Sequence, residues 1–227
     1  MGEISPAIRE CVEDLPKSGI LLAEAGYGAD IVAPYLDALA PGAHVLEVGS
    51  GPGILLAHFT RSHPALEFTG IEPLGLGFAA SEPFIQRLAE RFPTRLERCG
   101  YQEFSSPQPF DLIFLINVFE HLPDWRDFLD FAERNLKIGG QCVIFCPNYG
   151  FPYESHFGLP VIGGKRLTGR LFHKKIARHE NERNADGLWE SLNFVTWSQL
   201  RASLCGRKLQ PKFDPDFLGH MIGRLHT

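Results

Sequence analysis

The sequence has no apolar run near the roughly 20 residues that cross a bilayer, which speaks against a membrane span. Its first residues, MGEISPAIRECVEDLPKSG, carry acids where a secretory leader needs an apolar core, so no leader is expected. It also lacks the positive excess that nucleic acid or an anionic membrane demands: the formal charge is -5, leaving room only for local basic patches. The five cysteines are odd in number and scattered, with no C-x-x-C pair, which fits a reducing cytoplasm. Cys142 and Cys146, inside QCVIFCP, read as small core residues. Internal repeats and low-complexity tracts are absent as well. The reading left is a cytoplasmic protein with a small-molecule partner, no nucleic acid and no membrane, with a homodimer left open.

Against these absences stands VLEVGSGPG, Val45 to Gly53. Val45, Leu46 and Val48 form a β-prone apolar run that the glycines and Pro52 cannot continue. Good helix formers follow, ILLAHFTRSH, so a strand ends in a glycine turn that opens a helix. That is where a Rossmann-like unit places a nucleotide. Glu72 ends the next strand, EFTGIEP, about 20 residues on, where an acid can accept both hydroxyls of a ribose. A nicotinamide fingerprint wants a third glycine for close helix packing, and here that position is Ile54. Glu47, just before the turn, is also unfavourable to a diphosphate.

Strands and helices alternate through the first two thirds of the chain. Helices are expected over 6–15, 28–40 and 54–62, then in EPFIQRLAERF, with Phe84, Leu88 and Phe92 on one face, and in DWRDFLDFAERNLK. Strands are expected over 44–48, in EFTGIEP, near 95–99, in DLIFLIN and in QCVIFCP, the last entered through a Gly139–Gly140 turn. Mostly apolar strands between helices imply an α/β fold, a parallel sheet covered on both faces, with ligands at the carboxyl ends of the strands. Beyond Pro147 the rhythm breaks into a segment rich in aromatics, glycine and charge. VTWSQLRASL then reads as a strand leading into a helix, and RKLQPKF as a last strand.

E-V-G-S-G-P-G with an acid on the next strand resembles the class I S-adenosylmethionine-dependent methyltransferases. The F-E-H-L-P-D tract is most similar to their quinone-biosynthesis and related small-molecule O-methyltransferases. The resemblance extends over residues 44–148 and implies a Rossmann-like, seven-stranded, mostly parallel sheet with helices on both faces and the last strand antiparallel. It implies S-adenosyl-L-methionine as cofactor. Gly49, Ser50, Gly51 and Gly53 would bring the backbone to it, Glu47 would face its amino-acid end, and Glu72 with Pro73 would hold the ribose. Tyr101 and Gln102, with Glu103, are candidates for the adenine, and Asn117 and Val118 for the methionine moiety. Some relatives hold a divalent cation in this tract. Here the upstream acid is Asn117, which leaves Glu120 and His121, too few ligands, and no metal is expected. Those two either brace the next helix or face the substrate.

Methyl transfer is an in-line displacement that needs an aligned acceptor, exclusion of water and, for a hydroxyl, a base. FPYESHFGLP follows the fifth strand at the cofactor edge, and alternation puts Glu154 and His156 on one side. His156 is the first choice for the base, Glu154 its orienting carboxylate, and His121 a further catalytic candidate. Arg166, Arg170, Lys174 and Lys175 are either anchors for an anionic acceptor or a solvated helix face. Trp189 and Trp197 are pocket walls or core. One methyltransferase domain is expected over 1–227: N-terminal helices (1–43), a cofactor-binding core (44–148), a substrate cap (149–193), and C-terminal strands and helix (194–227). The expected reaction is methyl transfer to oxygen or nitrogen of a small molecule. The alternatives are a non-catalytic S-adenosylmethionine-binding scaffold and a nucleic-acid methyltransferase. The missing basic excess and the absence of a D/N-P-P-Y/F tract argue against the last.

Overall fold

The computed structural model describes residues 3–15, 17–74, 82–183 and 185–213. Five strands, β1 (His44–Val48), β2 (Glu67–Ile71), β3 (Arg95–Glu97), β4 (Phe110–Ile116) and β5 (Leu136–Phe145), form one sheet in the order β3-β2-β1-β4-β5. Every neighbouring pair is parallel. The chain moves outward from β1 through β2 to β3, then returns to the other side of β1 as β4. The strand order thus reverses between β1 and β4, where such sheets bind ligands.

Both faces of the sheet are covered, which is why its central strands read as unbroken apolar runs. Val45, Leu112 and Phe114 point into one cluster, packed by α1 (Pro6–Val12), α2 (Ser18–Asp37), α3 (Ile54–Ser62) and Leu88 of α4 (Glu82–Arg91). Leu46, Ile113 and Leu115 point the other way, against α5 (Trp125–Asn135) and Leu204 beyond α8 (Trp197–Ser203). Asp124 caps α5, its carboxylate accepting from the amides of Arg126 and Asp127.

The structure moves several expected boundaries. α2 begins at Ser18 rather than residue 28, because Gly26 and Gly28 are packing residues inside it. A Cβ on Gly28 would come within 3.0 Å of Leu55, so glycine sets the approach of α2 to α3. The Gly139–Gly140 pair is a bulge within β5 rather than a turn before it. Phe110 pairs with Leu136 but Leu112 already pairs with Gln141, and the surplus residues include Gly139 at φ +82°.

The expected seven-stranded sheet with an antiparallel last strand is not what the described residues form. They give five parallel strands and a separate antiparallel pair, β6 (Tyr153–Glu154) and β7 (Leu159–Pro160). Residues 194–196 and 204–213 pair with no strand. The physical reason lies in α5. Arg207 bonds Asp130 and Glu133, and the Lys208 amide donates to Glu133 at 2.7 Å, so this segment is tied to a helix rather than a sheet edge. Residues 214–227 lie outside the described residues.

The segment after β5 has its own small core. Tyr149, Phe157, Leu159, Ile176, Trp189 and Leu192 pack together, joining β6 and β7 to α6 (Lys165–Arg183) and α7 (Leu188–Ser191). Trp189 is therefore core, and Gly169 allows its close approach: a Cβ there would lie 2.9 Å from the indole nitrogen. Trp197 is half-buried at the start of α8, its ring against Phe213.

Candidate active site

The glycine turn after β1 takes a backbone that only glycine adopts freely. Gly49, Gly51 and Gly53 all have positive φ, +77°, +50° and +83°. The amides of Gly49 and Ser50 donate to the Ile71 carbonyl, tying the turn to the end of β2. A Cβ on Gly49 would lie 2.4 Å from Val118, so the segment after β4 closes directly over the turn. Asn117 makes the bend that brings it there at φ +54°, a conformation asparagine tolerates, with its amide on the Phe145 carbonyl.

Two acids face this turn from inside. Glu72 is buried; its Oε2 accepts the Gly51 amide and its Oε1 the Leu74 amide, both at 3.0 Å. Burial pushes its pKa up against the pull of those two amides. A carboxylate has about four acceptor positions, so two remain open to a ligand. Pro73 beside it is exposed. Glu47 is buried, with the Ser50 hydroxyl on its backbone carbonyl, and its Oε2 has no hydrogen-bond partner. Burial, and secondarily the charge of Glu72, carry its pKa to about 8, although the Ser50 hydroxyl acts the other way. A buried acid short of a donor fits the cationic amino group of S-adenosylmethionine.

The adenine candidates divide. The Tyr101 ring packs on Phe128 and Phe131, and its hydroxyl donates to the Asp124 carbonyl at 3.0 Å, so the side chain serves the core. Gln102 and Glu103 are exposed.

A second cluster lies two residues beyond Val118. A short 3-10 turn, Phe119–His121, delivers Glu120 and His121, and the β6–β7 hairpin delivers Glu154 and His156. Glu154 is fully buried and satisfied. It accepts from the amides of His156 and Phe157, the Tyr149 hydroxyl, and His156 Nδ1 at 2.6 Å. The pair therefore fixes the proton of neutral His156 on Nδ1 and frees Nε2.

His121 is set the same way by another route. Ser191 spends its hydroxyl proton on the Leu188 carbonyl, so its oxygen accepts from His121 Nδ1 at 2.8 Å. The two rings sit edge to face with centroids 5.5 Å apart. Glu120 completes the group: fully buried, neither oxygen hydrogen-bonded, Oε1 3.8 Å from His156 Nε2. Asn193 holds this turn to the cap, its side-chain amide donating to the carbonyls of Phe119 and Leu122 and its backbone amide to that of Glu120.

The electrostatics separate the two histidines. Burial, then the charge of His156, lower the His121 pKa to about 4, so it is neutral at physiological pH. Burial also acts to lower His156, but the hydrogen bond and charge of Glu154, with Glu120 and Glu24 of α2, turn the balance upward. Burial raises Glu120 to about 7. Ligand atoms of Glu120, His121 and His156 all lie within 4.8 Å of one another, types and spacing that could hold a divalent ion. Sequence reasoning counted only Glu120 and His121, because the histidine arriving from the hairpin is 35 positions away. It also missed Glu24, which lies in the part of α2 before the expected start at residue 28, and the two bracing side chains Tyr149 and Ser191.

The fold, with its glycine turn at the end of β1, is that of the class I S-adenosylmethionine-dependent methyltransferases. The chain belongs to the methyltransferase-domain family, whose model matches residues 23–199. An uncharacterized protein of Mycobacterium tuberculosis is 36% identical over 183 residues, 78% of this chain and 60% of its own length. A ubiquinone biosynthesis O-methyltransferase of Bradyrhizobium is 29% identical over 126 residues, 55% of this chain and 46% of its own. The chain thus spans about half to three fifths of the curated relatives it matches. Among solved structures, the YcgJ protein of Bacillus superposes with a TM-score of 0.53 at 17% identity, covering 83% of this chain and 68% of that one. The plantazolicin methyltransferase in complex with a triazolic desmethyl analogue and SAH superposes with a TM-score of 0.52 at 15% identity, covering 88% and 74%. At these identities the likeness is one of fold. No helix among the described residues is long and apolar enough to cross a membrane.

Proposed function

We propose that the protein methylates an oxygen or nitrogen of a small-molecule acceptor, with Nε2 of His156 as the base. S-adenosylmethionine supplies a methyl carbon on positively charged sulfur. Glu47 would hold its amino group, Glu72 its ribose, and the amides and flat glycines of the turn its close approach. The Val118–Glu120 segment links the two halves of the site, covering the glycine turn at one end and meeting His156 at the other.

The observation that carries this reading is the Glu154–His156 pair. Nδ1 is anchored at 2.6 Å to a buried, fully hydrogen-bonded carboxylate, so the imidazole is held in one tautomer with Nε2 turned to the group after β4. As the acceptor forms its bond to the methyl carbon, its proton passes to Nε2, and Glu154 stabilises the imidazolium. When bound, the cofactor would supply the methyl and retain the electrons of its broken carbon–sulfur bond. His121, neutral to about pH 4, is a hydrogen-bond acceptor for the substrate rather than a proton carrier. The ubiquinone-pathway relatives point to hydroxyl acceptors as the first to screen.

His156→Ala tests the reading. Calorimetry should show unchanged affinity for S-adenosylmethionine, while transfer of labelled methyl to an acceptor found by screening falls by about a hundredfold or more. Unchanged turnover would dismiss His156 as the base. The spacing of Glu120, His121 and His156 supports one second reading, in which a divalent ion there positions the acceptor. Turnover abolished by EDTA and restored by magnesium or manganese would select it; turnover indifferent to EDTA selects the base.

A further inference from the structure

The cap carries a face that neither cofactor nor base explains. In a chain of formal charge -5, the stretch KRLTGRLFHKKIAR at the start of α6 holds six lysines and arginines and no acid. At 100° per residue, Arg166, Leu167, Arg170, Leu171, Lys174 and Arg178 fall on one side of the helix, while Thr168 and Ile176 are buried on the other. Lys165 and Lys175 are committed to backbone carbonyls, of Glu190 and Leu192 and of Gly158. Arg166, Arg170, Lys174 and Arg178 bond no acid among the described residues.

Apolar side chains stand among these cations. Leu167 is 44% exposed, Leu171 55%, Ile162 42% and Phe151 67%. Short bonds hold their segments side by side: the Ile162 amide donates to the Thr168 hydroxyl, and the Val161 amide to the Pro152 carbonyl. Leu167 also lies against Gly163, where a Cβ would meet it at 2.7 Å. Scattered exposed leucines need no explanation, but exposed apolar residues on adjoining segments of a hairpin and a helix, beside cations of one sign on that helix face, do.

We propose that this face of the cap, Phe151, Ile162, Leu167 and Leu171 with Arg166, Arg170 and Lys174, docks on an anionic lipid surface. Apolar side chains at the headgroup level and cations paired with lipid phosphates are the two signals that together anchor a peripheral protein. Overall charge opposes such contact, and the charge of this patch reverses it locally. Nucleic acid would use the cations but has no use for the leucines. The hairpin that carries His156 runs directly into Ile162, so docking sets the acceptor side of the site against the lipid; that consequence rests on the proposed function, whereas the docking does not.

The test is sedimentation of the purified protein with vesicles of phosphatidylcholine alone or mixed with phosphatidylglycerol. Binding to the mixed vesicles should be at least about tenfold tighter and should weaken with added salt. Arg166→Glu with Arg170→Glu should erase the preference, and Leu167→Ser with Leu171→Ser should weaken binding to both. Unchanged circular dichroism and S-adenosylmethionine affinity would certify the fold of each variant. The proposal is overturned by absence of sedimentation with either vesicle or by binding indifferent to both variants. It is overturned equally by nucleic-acid retention that needs the arginines and not the leucines, or by light scattering that shows a dimer the leucine variant dissolves.

Discussion

The proposed role of His156 as a base rests on a neighbour it does not share with solvent. Glu154 is buried and takes four donors, and its own pKa is lowered: burial acts to raise it, but the His156 hydrogen bond and the backbone amides outweigh that. Turnover should rise with pH as His156 loses its proton, with a midpoint above the ordinary histidine value because Glu154 favours the charged ring. Glu154→Gln keeps the shape and removes the charge. The acid limb of the pH–rate profile should then move to lower pH, while turnover on the plateau falls roughly tenfold as the ring loses its fixed tautomer. A midpoint that stays in place would reduce Glu154 to a packing role. The i, i+2 relation of this pair was legible in the sequence, since extended chain puts alternate residues on one side. The unpartnered carboxylate of Glu120 was not, because only burial distinguishes it from a surface acid beside a helix.

At the scale of elements, legibility followed periodicity. β1, β2, β4 and α3 came out within a residue of their expected bounds, for each has an unbroken apolar pattern and a glycine or polar stop. α2 was cut short because glycine costs helix stability in isolation, and its compensating contact with Leu55 is invisible in one dimension. RKLQPKF looked like a strand, but a strand needs a partner, and Arg207 and Lys208 find theirs on α5. The join between the cap and the 3-10 turn was equally hidden, since it depends on one side chain. Asn193 bonds the carbonyls of Phe119 and Leu122 through Nδ2, at 2.7 and 3.2 Å, and its Oδ1 accepts the Val195 amide at 3.1 Å. Asn193→Ala leaves those groups without their partner, at a cost of about 1–3 kcal/mol. Limited proteolysis should cut first within 149–193, and turnover should fall more than S-adenosylmethionine affinity, because Glu120 and His121 lose their register with His156. Cleavage with the wild-type pattern and rate would mean the cap is held by its other contacts.

Across the whole molecule, the burial of acids sets an unusual pH dependence. Glu47 keeps its proton in the folded chain to about pH 8, against an ordinary value of 4.5. Its pKa is raised by folding, so its contribution to stability is fully present below pH 4.5 and is lost as pH rises through 8. Between pH 7 and 8 the folded chain binds up to one more proton here than the unfolded chain, the excess falling to half at the folded pKa. Stability therefore falls with pH, by up to about 1.4 kcal/mol per unit. His121 contributes little in this window, since its ordinary value of 6.5 leaves it mostly neutral in the unfolded chain too, whereas His156, raised above 6.5, adds to the fall and Glu120, raised to about 7, adds to it mainly at lower pH. The melting temperature should drop by about 2–5 °C from pH 7 to 8 for a chain of this size. Glu47→Gln, which cannot ionise, should flatten most of that slope. Saturating S-adenosylmethionine should flatten it too, because an ammonium against Glu47 favours the ionised carboxylate and binding at pH 7 then releases a proton. Calorimetry in buffers of different ionisation enthalpy would count that proton. A melting temperature independent of pH over this window, in wild type and variant alike, would mean that Glu47 is already ionised in the ligand-free fold, and its role as the seat of the cofactor's amino group would lose its physical basis.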